Sequence, residues 1–135
     1  MSQIDYQFIT VADKKELALV SAWYLQEWQM PATVVVERLA NCSPDGIPFH
    51  LLLLANGEPV ATAGIHTTVS IMKTCPRFEN YRYWLALVYT DPQHRNLGYG
   101  RMLCQKIEAI ARERSAKDIY LFTHTAESMY TKLGW

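Results

Sequence analysis

Tyr83 to Thr90 is an apolar run of strand-forming residues that leads through Asp91-Pro92 and the loop Arg95-Asn96-Leu97-Gly98-Tyr99-Gly100 directly into an amphipathic helix. This order constrains the chain more than any other feature in it. Proline has no N–H to give to a sheet ladder, so the strand stops at Asp91-Pro92. From Gly100 to about Ser115, Leu103, Ile107, Ile110 and Ala111 recur on one helical face, while Arg101, Gln105, Glu108 and Arg112 occupy the other. A helix that begins at glycines leaves its first N–H groups unpaired and carries roughly half a positive charge there. The missing Cβ atoms let a phosphate approach the backbone. A pyrophosphate suits such a place. Two glycines one residue apart also occur in ordinary tight turns, so the loop alone does not assign a ligand.

The rest of the chain alternates between strand and helix periods without an internal repeat, low-complexity tract or linker, which predicts one α/β (α+β) domain over residues 1–135. Tyr6 to Val11 reads as a short strand. Asp13 followed by Glu16 has the spacing of a capping box, and Leu17, Val20, Tyr24 and Trp28 then recur at helical intervals up to Pro31. Thr33 to Cys42 mixes strand-favouring Val34, Val35 and Val36 with a helical face of Val35, Leu39 and Cys42, and is assigned to helix. Phe49 to Leu54 is continuously apolar. Asn56-Gly57 supplies the two residues that tolerate positive φ in a type I′ turn, so Phe49 to Val69 reads as a β-hairpin.

Composition excludes several classes of function. The formal net charge is zero and the pI is near 6.9, which lacks the basic footprint of a nucleic-acid binder. The first six residues are not signal-like, and no apolar run approaches the roughly 20 residues that span a bilayer. The expectation is a cytoplasmic protein without membrane or nucleic-acid partners. Cys42, Cys75 and Cys104 show neither C-x-x-C pairing nor metal-ligand spacing, so neither disulfides nor a metal site is expected.

With Val88 to Arg101 in view, the sequence resembles the GNAT superfamily of acetyl-CoA-dependent N-acetyltransferases, whose signature here is R/Q-x-x-G-x-G/A after a central strand. Downstream, Asp118 to Thr123 reads as another strand, and Ala126 to Trp135 (A-E-S-M-Y-T-K-L-G-W) is similar to the family's A-x-x-x-Y-x-k-L-G-[FW] ending. The resemblance is specific from about Tyr83 to Trp135, and upstream only the order of elements matches. It implies a central mixed, mostly antiparallel sheet flanked by helices. It further implies that backbone groups of Val88, Tyr89 and Thr90, freed by a strand bulge, hold the acetyl carbonyl and pantetheine arm of acetyl-CoA. The N–H groups of Arg95, Asn96, Leu97, Gly98, Tyr99 and Gly100, with Arg101, would cradle the pyrophosphate. Thr123 stands where the family often has Asn, so one contact to the CoA arm is altered. Family members usually continue into two more strands beyond L-G-[FW]. Either the polypeptide is shortened or a partner, as in a homodimer, completes the sheet and covers an otherwise unpaired edge.

The same resemblance makes Tyr130 the general acid to the leaving CoA thiolate. A phenol near pKa 10 and a thiol near 8.5 differ by about 1.5 units, a mismatch of about 2 kcal/mol that positioning can absorb. The acceptor is an amine of unspecified structure. A lysine-type amine near pKa 10.4 is about one part in several thousand neutral at pH 7, whereas an α-amine near 7.8 is about one part in seven, so only the first needs a strong general base. Tyr83 to Thr90 carries no carboxylate. His66, His124, Asp91 and Glu127 are the candidates, with His66 first because it lies late in the hairpin strand expected to border Tyr83 to Thr90. The competing reading is a non-catalytic acyl-CoA-binding sensor or interaction module, against which the retained Tyr130 argues.

Overall fold

The computed structural model describes residues 3–67, 83–116 and 118–120. Over these the chain runs β1 (Ile4–Ile9), α1 (Lys14–Trp28), α2 (Ala32–Leu39), β2 (Phe49–Ala55), β3 (Glu58–His66), β4 (Trp84–Thr90), a 3-10 turn (Pro92–His94) and α3 (Tyr99–Glu113). The strands form one sheet in the order β1-β2-β3-β4, each antiparallel to its neighbour. Beyond β4, Tyr120 makes a parallel bridge to Trp84, with N–H···O bonds of 2.8 Å from Leu85 to Tyr120 and 2.9 Å from Tyr120 to Tyr83. The sheet is therefore mixed and mostly antiparallel, as expected. The remainder of the Asp118 to Thr123 strand lies outside the described residues.

The hairpin turn is where the sequence put it. Asn56 and Gly57 take φ of 53° and 81°, and Ala55 pairs with Glu58 across the turn. Two expectations at the start of the chain are corrected. β1 begins at Ile4 rather than Tyr6, because pairing with β2 runs from Ile4 opposite Ala55 to Ile9 opposite His50. Thr10 leaves the ladder, and both its N–H (2.8 Å) and its hydroxyl (3.3 Å) turn to the Asp13 carboxylate. That carboxylate is thereby committed backwards, and the capping box does not form: Asp13 makes no side-chain bond to the helix it precedes. α1 ends at Trp28, where Gln29 adopts the left-handed conformation and donates its N–H to Leu25 O. The ambiguous valine-rich stretch is helical, as assigned, with Val35 and Leu39 fully buried.

Helices cover both faces of the sheet. On one face Leu103, Ile107 and Ala111 of α3 pack on Phe49, Leu51, Ala63 and Ile65. On the other, Leu17, Val20 and Tyr24 of α1 and Val35 and Leu39 of α2 pack on Ile9, Leu52 and Tyr89. Burying each such side chain stabilises the fold by about 1.5–3 kcal/mol. Because β2 and β3 are covered on both faces, their sequences read as apolar runs with little alternation.

A bulge in β4 then sets the geometry of everything after it. Gly64 pairs with Ala86 and Thr62 pairs with Tyr89, so Leu87 and Val88 together lie opposite Ala63. Leu87 takes φ of +58°, an uncommon conformation for a residue with a side chain. Leu87 packs with the α1–α2 cluster and Val88 with the α3 cluster. The extra residue thereby reverses the alternation, and Tyr89 faces α1, where its ring lies 5.2 Å from that of Trp23 and 6.2 Å from that of Trp28.

Candidate functional site

β4 delivers the chain into the loop before α3, and a series of local bonds fixes that loop. Asp91 N–H donates to Val60 O at 2.8 Å, His94 N–H donates to Asp91 O at 2.8 Å, and His94 Nδ1 lies 2.7 Å from Asp91 Oδ2. Asn96 (φ +65°) and Gly98 (φ +86°) are both left-handed, and Gly98 is the residue immediately before α3. Having no side chain, Gly98 supplies no cap. The first N–H taken up by the helix is that of Met102, which donates to Gly98 O at 3.0 Å. The N–H groups of Tyr99, Gly100 and Arg101 therefore have no partner within the helix, and they carry its positive end.

These groups open on a cavity of about 500 Å³, lined by Glu27, Trp28, Val88, Tyr89, Thr90, His94, Arg95, Asn96, Gly98, Tyr99, Gly100 and Arg101. The volume lies within the ordinary range for a ligand pocket. Gly100 is among its lining residues, and a Cβ there would come 3.4 Å from Thr90 Oγ1. The Tyr89 hydroxyl is buried without a hydrogen-bond partner among the described residues, and burial raises its pKa. The Arg95 guanidinium lies 5.5 Å over the Tyr89 ring, donates from Nε to Thr90 O at 2.9 Å, and meets Glu27 at 3.3 Å. Its side chain braces the loop against β4 and α1.

Of the residues singled out from sequence, Val88, Tyr89, Thr90, Arg95, Asn96, Gly98, Tyr99, Gly100 and Arg101 converge on this one cavity. Leu97 does not line it and is 62% exposed. Thr123, Tyr130, His124 and Glu127 lie outside the described residues. Glu27 and Trp28 were missed, since nothing in a helix-period pattern says that the end of α1 borders a loop nearly 70 residues later. Cys42 and Cys104 are buried free thiols pushed by burial to about 12, so neither offers a thiolate near neutral pH; Cys75 is outside the described residues.

His66 is elsewhere. It lines a second cavity of about 250 Å³ with Val34, Glu37, Arg38, Asn41, Pro48 and Thr67. It is 3% exposed, and its Nε2 lies 2.9 Å from Nδ1 of the fully buried His50. Burial, and secondarily the charge of Arg38, lower its pKa to about 4, so it is neutral at pH 7 and weakly basic.

The acetyltransferase (GNAT) family model matches residues 17–135. This chain belongs to that family. Solved GNAT structures share the fold at low sequence identity. The aminoglycoside N-acetyltransferase AAC(6′)-Iy, in complex with a CoA-containing bisubstrate analogue, superposes with a TM-score of 0.71 at 16% identity, over 99% of this chain and 91% of that one. A predicted acetyltransferase from Clostridium acetobutylicum, solved with acetyl-CoA, gives 0.69 at 19% identity over 98% and 90%. The glucosamine N-acetyltransferase region of a fungal multi-domain β-N-acetylglucosaminidase gives 0.74 at 16% identity, covering 100% of this chain but 17% of that protein. No curated protein matches the sequence. Among the described residues, no helix is long and apolar enough to cross a membrane.

Proposed function

We propose that this GNAT protein transfers the acetyl group of acetyl-CoA to a primary amine by direct attack in a ternary complex. One observation carries the reading: the uncapped N-terminus of α3 and the bulged end of β4 open on the same cavity. The first is suited to a pyrophosphate, and the second presents backbone N–H and C=O groups to an amide-containing arm. Membership of an acetyltransferase family, and structural neighbours solved with CoA or acetyl-CoA, support the same cosubstrate.

In this reading the backbone of Val88, Tyr89 and Thr90 orients the acyl arm, the N–H groups from Arg95 to Gly100 with Arg101 hold the pyrophosphate, and Thr123 touches the arm. Tyr130 gives its proton to the departing thiolate. A general base with a pKa near 4 would start some six units below a lysine-type amine, about 8 kcal/mol uphill, so His66 is a poor proton acceptor for such a substrate. The proposal therefore assigns no base among the described residues. Calorimetric titration with acetyl-CoA, followed by release of free CoA thiol against polyamines, aminoglycosides, amino acids and peptides, tests it. Binding with turnover on one amine class supports the reading, and absence of acetyl-CoA binding refutes it.

A further inference from the structure

Three polar side chains lie on the apolar α1–α2 face of the sheet and form a continuous chain that ends on the bulge. Tyr24 of α1 and His50 of β2 are fully buried, and His66 of β3 nearly so. The Tyr24 hydroxyl lies 2.6 Å from Leu87 O and 3.0 Å from His50 Nε2, and His50 Nδ1 lies 2.9 Å from His66 Nε2.

The direction of every proton in this chain follows from its last member. A carbonyl only accepts, so Tyr24 spends its single proton on Leu87 O and must accept from His50 Nε2–H. A neutral His50 then has a bare Nδ1, which accepts from His66 Nε2–H. That leaves the lone pair of His66 on Nδ1, and His66 is the member that lines the second cavity. Thr62, beside Tyr24, spends its hydroxyl proton on Leu51 O at 2.9 Å and so does not donate to the tyrosine. Burial raises the Tyr24 pKa well above 10 and lowers that of His50, so the chain stays neutral near pH 7. The sheet also makes room for it: a Cβ on Gly64 would collide with both imidazoles.

We propose that Tyr24 is a positioning residue for the cosubstrate site. Its hydroxyl fixes the Leu87 carbonyl, and with it the backbone of Val88 and Tyr89, while His50, itself held by His66, donates to the tyrosine oxygen. Apolar side chains of similar size would fill the same space without the desolvation that three buried polar groups incur, so packing alone does not account for them. The function of the bulge as the holder of the acyl arm rests on the reading above.

The test compares Tyr24→Phe with Val20→Ala, one turn earlier on the same buried helix face, as a control that loosens packing but keeps the hydroxyl. Amide hydrogen exchange in the free protein and calorimetric affinity for acetyl-CoA are read for each. In Tyr24→Phe, exchange at Val88 should rise at least tenfold more than at the β2 amides, and acetyl-CoA should bind at least fivefold more weakly. In Val20→Ala, the exchange increase should be uniform and the affinity within twofold of wild type. His50→Leu should weaken binding, and His50→Gln, whose amide nitrogen can take the place of Nε2, should restore it; this pair decides the matter if Tyr24→Phe does not fold. Equal losses in Tyr24→Phe and Val20→Ala, or no selective exchange at the bulge, overturn the proposal. Wild-type protein that fails to bind acetyl-CoA would instead sink the functional reading, and the exchange measurement would still decide whether Tyr24 holds the bulge.

Discussion

Gly64→Ala should be among the most damaging single-methyl additions to this protein. Gly64 lies in the middle of β3, where it pairs with His50 on one side and Ala86 on the other. An added Cβ would sit 2.5 Å from Phe49 O and 2.9 Å from His66 Nε2, and closer still to His50 Nδ1. The carbonyl cannot retreat without opening the β2–β3 ladder, and the imidazoles cannot retreat without breaking their mutual bond. Overpacking of this kind costs about 1–3 kcal/mol, and leaving buried imidazole N–H groups unpaired adds about 1–3 more. The expected loss is roughly 2–6 kcal/mol, or about 6–18 °C in Tm for a domain of this size. Urea denaturation, with the slope held to the wild-type value, measures it. Gly46→Ala is the matched control, since a Cβ there meets nothing within 4 Å, and it should stay within about 0.5 kcal/mol. A Gly64→Ala loss below about 1 kcal/mol would mean that the histidine pair is not packed as described.

The histidine pair also predicts an acid-side loss of stability. The folded pKa of His66, about 4, lies below the unfolded value of 6.5, so its contribution to stability should fall as pH drops from 6.5 to about 4, by on the order of 3 kcal/mol, with the lowered pKa of His50 adding to the loss; an equally steep profile in His66→Gln would refute the His66 share. Gly100→Val places branched carbons against Thr90 Oγ1 in the lining of the α3 cavity, so saturating acetyl-CoA should no longer raise Tm, whereas a wild-type shift would displace the pyrophosphate from that loop. Tyr130→Phe should lower kcat about 100- to 10,000-fold with acetyl-CoA affinity near wild type, and unchanged single-turnover rates would reduce Tyr130 to a packing role.

Local chemistry made part of this molecule legible in advance. Asn56-Gly57 set the hairpin register because two consecutive left-handed residues admit few turns. The glycines at 98 and 100 marked the start of α3 because that turn needs positive φ and an unobstructed backbone. What depends on pairing was read less well. β1 was displaced by two residues because a ladder with β2, rather than its own alternation, sets its limits. The Asp13–Glu16 spacing misled because Thr10 reached the same carboxylate first. The polar chain from His66 to Leu87 was invisible as a unit: its members come from four elements, and two of them sit inside apolar runs. Only the antiparallel register brings His50 beside Gly64 and within reach of His66. His66 drew notice as a candidate base from its place in β3; its burial and its partner His50 could be read only from the fold.

The extra residue in β4 divides that strand into two reading frames. Up to Ala86, side chains follow the phase set by pairing with Ile65 and His66; from Val88 onward the phase is inverted. Deleting either Leu87 or Val88 would leave one residue opposite Ala63, so Tyr89 and Thr90 would keep both their partners and their faces. Straightening the bulge with the sequence intact would instead move every later residue one step along β3, swinging Tyr89 toward α3 and Thr90 toward α1. The length of β4 and its bulge are therefore matched: both residues opposite Ala63 must be kept, or one of them lost together with the bulge, for Tyr89 and Thr90 to stay on their present faces. Aligning relatives across this strand by sequence alone risks comparing side chains that point to opposite faces.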